Sequence, residues 1–233
     1  MSYLVLVRHG ESRWNLDNRF TGWVDVALSE KGIKEAIKCS KELENISFDL
    51  AYTSKLERAQ ETLLIILVKQ NKTGIFLHEN KKEKKWSLHP IEFMKNEIPI
   101  YSSIALNERY YGCLQGMNKE TARQKFGEKK VFEWRRSYDI APPKGECLKD
   151  VYNRTVPYYK KEILPKLKDG KNIIVSAHGN SLRALIKFLD DITDEQIPFL
   201  ELSTGKPIVY KYTNRKVIKQ NIKFNLKRPT KWK

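Results

Sequence analysis

The chain has 233 residues, 40% apolar and 11% aromatic, and its 44 basic against 28 acidic side chains leave a net charge of +16. That composition is globular, with no apolar run long enough to cross a bilayer, and Met1-Ser2-Tyr3 lead into an apolar tract without a leader, so a cytoplasmic location is expected. The charge favours phosphorylated metabolites, nucleic acid or anionic membranes and does not by itself choose among them.

In chain order, the apolar run Tyr3-Leu4-Val5-Leu6-Val7 predicts a strand that ends at Arg8-His9-Gly10-Glu11. A long loop carrying Asn18-Arg19-Phe20-Thr21-Gly22-Trp23 follows. Ser29 then offers an N-cap to a helix over about 30–45, with Ile33, Ala36, Ile37 and Leu43 near helical spacing. Phe48 to Tyr52 reads as a second strand, and Thr53-Ser54 as the cap of a helix through Arg58, Ala59, Thr62, Leu63 and Ile66. Between Val68 and Leu106 the periodicity fades and Pro90 and Pro99 act as breakers. This predicts an insertion at about 70–104 with local structure near Ile75-Phe76-Leu77.

Helical patterns return from Asn118 through Ala122, Phe126, Val131 and Trp134, and again from Leu148 to Leu167, with Pro157 as a kink. The continuous apolar run ending at Ser176-Ala177 suits a strand buried on both faces, and it leads into His178. A helix near Ser181 carries Leu182, Leu185, Ile186 and Leu189 on one side, and Ile208–Tyr212 with Val217–Ile222 reads as a closing hairpin. Strands alternating with helices predict a three-layer α/β/α fold around a mostly parallel mixed sheet. One domain would span 1–226, followed by a basic tail at 227–233. That tail and the run Lys81-Lys82-Glu83-Lys84-Lys85 are read as solvated, not as binding patches.

Two histidines, His9 and His178, each stand where a strand ends. If the strands are parallel neighbours, both rings emerge at the carboxyl edge, where open α/β sheets hold ligands. Neutral imidazole can carry a phosphoryl group when its other nitrogen is oriented by an acceptor, so His9 is the candidate nucleophile. Phosphoryl transfer needs fixed positive charge and donors, which Arg8, Arg58 and His178 can supply, with Gly179 and Asn180 at the opening of a helix. Glu108 is the best acidic candidate for proton transfer, and Arg135-Arg136 suit a bidentate grip on carboxylate or phosphate. The remaining histidines, His78 and His89, and the cysteines Cys39, Cys113 and Cys147 show no metal-ligand or disulfide pattern, so no metal is expected.

The ordered set Arg8-His9-Gly10-Glu11-Ser12, Trp14-Asn15, Asn18 to Trp23, Leu28 to Gly32, Tyr52-Thr53-Ser54, Arg58-Ala59, Glu108-Arg109, Tyr111-Gly112, Leu114-Gln115-Gly116, Trp134-Arg135-Arg136 and Ala177 to Arg183 strongly resembles the cofactor-dependent phosphoglycerate mutases of the histidine phosphatase superfamily. The resemblance covers most of the chain. It implies interconversion of 3-phosphoglycerate and 2-phosphoglycerate, a step of glycolysis and gluconeogenesis, through phosphohistidine at His9, primed by 2,3-bisphosphoglycerate and needing no metal. It further implies that Arg8, Arg58 and His178 hold the phosphoryl group with main-chain help at Gly179, while Glu108 serves as acid and base. Ser12, Asn15, Thr21 and Gly22 would line the site. Arg109, Tyr111, Lys119, Arg135, Arg136 and Asn180 would hold the carboxylate and second phosphate.

Three departures from the family pattern stand out. Tyr110 occupies the usual place of a histidine, the stretch from Arg136 to Val151 is short, and the predicted insertion is long for the family. Minor synthase and phosphatase activities accompany the family expectation. A phosphohistidine phosphatase acting on small phosphorylated metabolites is the alternative. A non-catalytic basic protein that binds nucleic acid or membranes is disfavoured by the intact catalytic set, and neither a nucleic-acid motif nor aromatic interleaving of the basic runs supports it, so no nucleic-acid or membrane partner is expected. The partners are then small phosphorylated metabolites, and a homo-oligomer stays open.

Overall fold

The computed structural model describes residues 1–77, 93–214 and 216–220, with the side chains of 93 and 94 outside the description. Its seven strands are β1 (Ser2–Arg8), β2 (Leu50–Thr53), β3 (Thr73–Leu77), β4 (Glu97–Ser102), β5 (Ile173–Ala177), β6 (Pro207–Thr213) and β7 (Lys216–Lys219). They form one sheet in the order β3-β4-β2-β5-β1-β6-β7. The pairs β1–β5, β5–β2, β2–β4 and β4–β3 are parallel, whereas β6 runs antiparallel to β1 and to β7.

The helices are α1 (Arg13–Leu16), α2 (Glu30–Glu42), α3 (Glu57–Leu67), α4 (Lys119–Phe126), α5 (Glu128–Arg136), α6 (Leu148–Tyr158), α7 (Leu164–Lys168) and α8 (Gly179–Leu189). Side chains of β1 alternate between the two faces. Leu4 and Leu6 join a core with Leu148 and Val151 of α6 and Leu182 and Leu185 of α8. Val5 and Val7 join another with Cys39 of α2 and Leu63 and Ile66 of α3. All four β1 residues are fully buried, each contributing about 1.5–3 kcal/mol. The sheet is therefore the middle of three layers, the expected architecture.

Because β1 leads to α2 on one face and β5 leads to α8 on the other, a crevice opens between their carboxyl ends. Such a switch point is where open sheets bind ligands. The register Arg8↔Ala177 brings the two ends level, and His9 N–H donates to the Ala177 carbonyl at 2.9 Å.

Several local expectations change. Within the stretch predicted as an insertion at about 70–104, residues 73–77 and 97–102 are strands of the sheet; residues 78–92, with His78, His89 and the lysine run, lie outside the described residues. Pro99 lies inside β4, opposite Ile75 of β3 and one residue before the ladder with β2 begins at Ile100. Thr53 and Ser54 do not cap α3, whose first flanking residue is Leu56. Gly127, at φ +84°, breaks the predicted helix into α4 and α5. Beyond Pro157, a π-type turn at Tyr159–Ile163 separates α6 from α7. The basic tail at 227–233 and the end of the predicted hairpin also lie outside the described residues. Among the described residues no helix is long and apolar enough to cross a membrane.

Candidate active site

The carboxyl ends of β1 and β5 set the two imidazoles 5.0 Å apart between ring centres, inclined at 60°. Both are buried. Nδ1 of His9 lies 2.6 Å from the Gly10 carbonyl. Only a protonated Nδ1 can donate there, so a neutral ring keeps its lone pair on Nε2. Burial, then the guanidinium groups of Arg58 and Arg8, hold the His9 pKa well below the usual imidazole range. Its ring is neutral at pH 7. Burial and Arg58 depress His178 in the same way.

Arg58 projects from the first turn of α3. Its Nη1 donates to the Val24 carbonyl at 3.0 Å and Nη2 to the Gly22 carbonyl at 2.8 Å. Burial lowers its pKa to about 10, with Glu108 opposing the shift, so the group remains a cation at pH 7. Arg8 donates from Nη1 to the Leu202 carbonyl at 2.7 Å, and its Nε is buried without a partner. Thr21 Oγ1 is likewise buried and unpartnered. Both residues line the cavity, where such unspent groups suit an anion.

Glu108 presents its carboxylate to the amino end of α8. Oε1 accepts from Arg109 N–H at 2.7 Å, from Asn180 N–H at 3.2 Å and from Asn180 Nδ2 at 2.7 Å. Three donors converge on one oxygen, so the other, Oε2, is left to take or give a proton. Asn180 is itself oriented by Arg183, whose Nη1 donates to Asn180 Oδ1 at 3.0 Å.

The cavity over these groups has a volume of about 200 Å³. Arg8, Arg19, Arg58, Lys119, Arg135, Arg136 and Arg183 line it, against the acidic Glu108 and Glu201. The excess of cations is felt within the site. Burial and then Arg135 bring Lys119 down to about 8, and burial and then Arg136 bring Arg183 to about 9. A polyanion would relieve this crowding. Glu201 partly does so at the rim, in an ion pair with Arg136.

Asn15, Gly22, Tyr111 and Gly179 also line the cavity as expected, together with the other sequence-derived residues save three. Ser12 instead turns away, fully buried, to cap α1 through Asn15 N–H at 3.3 Å. Arg109 is fully buried behind the wall, donating from Nη2 to the Arg135 carbonyl at 2.7 Å and stacking on Tyr111. His178 lies beneath the floor, its Nε2 hydrogen-bonded to Ser54 Oγ at 2.7 Å. Tyr110 packs against Trp23 at the surface and does not line the cavity.

Sequence reasoning missed Arg19, Arg183, Glu201 and the Ser54–His178 contact. Arg183 follows Asn180 by three residues, a helical neighbour that spacing alone could have brought into the site. Ser54 stands in the motif segment Tyr52-Thr53-Ser54, whereas nothing comparable marks Glu201.

A model of the histidine phosphatase superfamily (branch 1) matches residues 4–89 and 89–223. A 2,3-bisphosphoglycerate-dependent phosphoglycerate mutase of Methanosarcina acetivorans is 51% identical over 95% of this chain and 96% of its own length. One of the same name from Chlamydia pneumoniae is 48% identical over 94% and 97%. Among solved structures, mycobacterial hydrolase 1 superposes with a TM-score of 0.75 at 19% identity, covering 97% of this chain and 99% of that one. Bacillus stearothermophilus YhfR gives 0.73 at 23% identity, over 93% and 94%. At such identities the likeness concerns fold alone, whereas the family match spans most of the sequence. The chain belongs to the histidine phosphatase superfamily, branch 1.

Proposed function

We propose that the chain is a 2,3-bisphosphoglycerate-dependent phosphoglycerate mutase that interconverts 3-phosphoglycerate and 2-phosphoglycerate in glycolysis and gluconeogenesis. The observation that carries this reading is a neutral His9, its Nδ1 tied to a carbonyl, facing a cavity lined by cations and one carboxylate. Relatives at about half identity that bear this name support it.

In this reading His9 Nε2 attacks phosphorus, an N–P bond forms and the P–O bond to the donor breaks. Glu108 Oε2 gives its proton to the departing alkoxide, and in the return step takes one from the neighbouring hydroxyl. Arg8 and Arg58 neutralise the oxygens of the transferring group, with His178 below them and the Gly179 main chain beside them. Lys119, Arg135, Arg136 and Asn180 hold the substrate's other acidic group while it reorients, and Tyr111, Asn15, Thr21 and Gly22 shape the wall. Ser12 and Arg109 serve by positioning these groups. When bound, 2,3-bisphosphoglycerate supplies the phosphoryl group that first charges His9, and Arg8 Nε and Thr21 Oγ1 are fitting donors for it. Every role is filled by a side chain or a main-chain amide, and no metal is invoked.

The test is incubation with 3-phosphoglycerate, with and without a trace of the bisphosphate, followed by product analysis and intact mass. Isomerisation that depends on the primer, with an acid-labile phosphate adduct that is lost in His9→Ala, is the expected result. Stoichiometric release of free phosphate without isomerisation would replace the mutase with a phosphatase.

A further inference from the structure

Glu108 lies on neither a helix nor a strand; it follows β4 and a single 3-10 turn at Ile104–Leu106. A proton-transfer group on a loop is useful only if the loop is held to a fraction of an ångström. The side chain that does most of this is Arg154 of α6. Its Nη1 donates to the carbonyls of Ile104 (3.2 Å), Ala105 (3.0 Å) and Asn107 (3.0 Å), and Nη2 donates to that of Glu108 itself (2.9 Å). One guanidinium thus gathers nearly every acceptor along the turn.

The charge on Arg154 is met inside the same assembly. Nε and Nη2 each lie 3.0 Å from a different oxygen of Glu146, a two-pronged pair. Glu146 in turn accepts from Tyr110 N–H at 2.8 Å, so it grips the chain two residues beyond Glu108. Trp23 Nε1 donates to the same Glu108 carbonyl, and its ring lies 5.9 Å from the Arg154 guanidinium. Arg154 does not line the cavity. Its donors are spent on protein, so it has no part in gripping the substrate.

We propose that Arg154, paired with Glu146, is a positioning residue that sets the direction of Glu108 for proton transfer. Asn180 on α8 holds the head of Glu108 by Oε1, Arg154 on α6 holds its backbone, and α6 packs against α8 in one core. The free oxygen Oε2 is then aimed by two helices that share a rigid support. The proposal rests on Glu108 acting as acid and base, and misplacing such a group by about 1 Å costs on the order of a hundredfold in rate.

The experiment compares leaving groups that do and do not need a proton. Arg154→Met is measured for isomerisation of 3-phosphoglycerate, whose alkoxide must be protonated, and for phosphorylation of His9 by 4-nitrophenyl phosphate, whose phenolate departs unaided. The expected result is a loss of about 30- to 100-fold in kcat for isomerisation, with KM changed less than about threefold and the aryl phosphate rate within about threefold of wild type. Arg154→Lys, which keeps the charge and can reach some of the carbonyls, should recover part of the loss. Equal losses on both substrates, or no loss on either, would overturn the proposal. If Arg154→Met gives no cooperative melting transition, the same contrast is read from Arg154→Lys. Should wild-type enzyme fail to isomerise 3-phosphoglycerate, the mutase reading falls by itself. The contrast between hydrolysis of glycerol phosphate and of 4-nitrophenyl phosphate then decides the role of Arg154.

Discussion

Lys119 makes the charge of the cavity testable through pH. Its ordinary value of 10.5 is brought to about 8, first by burial and then by the neighbouring Arg135. In the free enzyme about nine-tenths of the molecules carry this charge at pH 7, and about one-tenth at pH 9. A bound phosphate or carboxylate favours the protonated amine, so above pH 8 binding must take up a proton and affinity falls as pH rises. The expected change is a roughly tenfold increase in KM for 3-phosphoglycerate between pH 7 and pH 9. Substrate phosphate, with its second pKa near 6, is already fully ionised over most of that range and does not offset the rise. Initial rates followed by phosphorus NMR across the range give KM directly. Lys119→Arg, whose guanidinium keeps its charge to higher pH than the amine, should show a clearly smaller rise in KM over the same interval. A flat KM in wild type, or the same rise in Lys119→Arg, would refute the assignment of this amine to anion binding.

Ser54→Ala leaves His178 Nε2 buried without its 2.7 Å partner. Urea unfolding should show a loss of about 1–3 kcal/mol, with kcat reduced as well. Gly112 and Gly127 both hold positive φ, but a Cβ at Gly112 would stand 2.2 Å from the Pro143 carbonyl oxygen, while one at Gly127 meets nothing within 4 Å. Gly127→Ala should therefore cost about 1–3 kcal/mol of backbone strain, and Gly112→Ala clearly more, as read from unfolding midpoints. Glu201 competes with ligand for Arg136 at the exposed rim. Glu201→Gln should lower KM by up to about fivefold, the equivalent of an exposed pair worth at most about 1 kcal/mol.

The layer order and the pairing of β1 with β5 were legible because those strands are buried on both faces and read as unbroken apolar runs. From that pairing the meeting of His9 and His178 followed. β4 was hidden because only alternate residues, Ile98, Ile100 and Ser102, face inward, and Pro99 among them signals a break. The same logic explains the site. Residues that face the cavity, such as Arg58 and Glu108, keep company with motif neighbours. Those that act through backbone carbonyls far along the chain, as Arg154 does, leave no periodic trace. Ser12 and Arg109 show the converse: they belong to the motif yet turn inward, because capping a helix or bracing a wall serves the site without touching its contents.

Phosphatase and mutase chemistry share the first half-reaction, so whatever separates them must lie beyond the groups that hold the transferring phosphoryl. In the proposed reading those groups come from the ends of β1 and β5 and from α3, whereas Lys119 and the pair Arg135-Arg136 come from α4 and α5. The latter helices rest on a core of their own, Phe20, Leu114, Ala122, Val131 and Trp134, set apart from both faces of the sheet. A reactive phosphohistidine survives only while the intermediate stays bound and water stays out. Loosening the distal grip should therefore raise hydrolysis relative to isomerisation without preventing His9 from being charged. Arg135→Ala is expected to release several times more free phosphate per isomerisation event than wild type, while the yield of phosphoenzyme at short times stays near normal. A parallel decline in both would mean that α4 and α5 contribute equally to forming the phosphoenzyme and to keeping it, and the division of labour between the two halves of the cavity would be wrong.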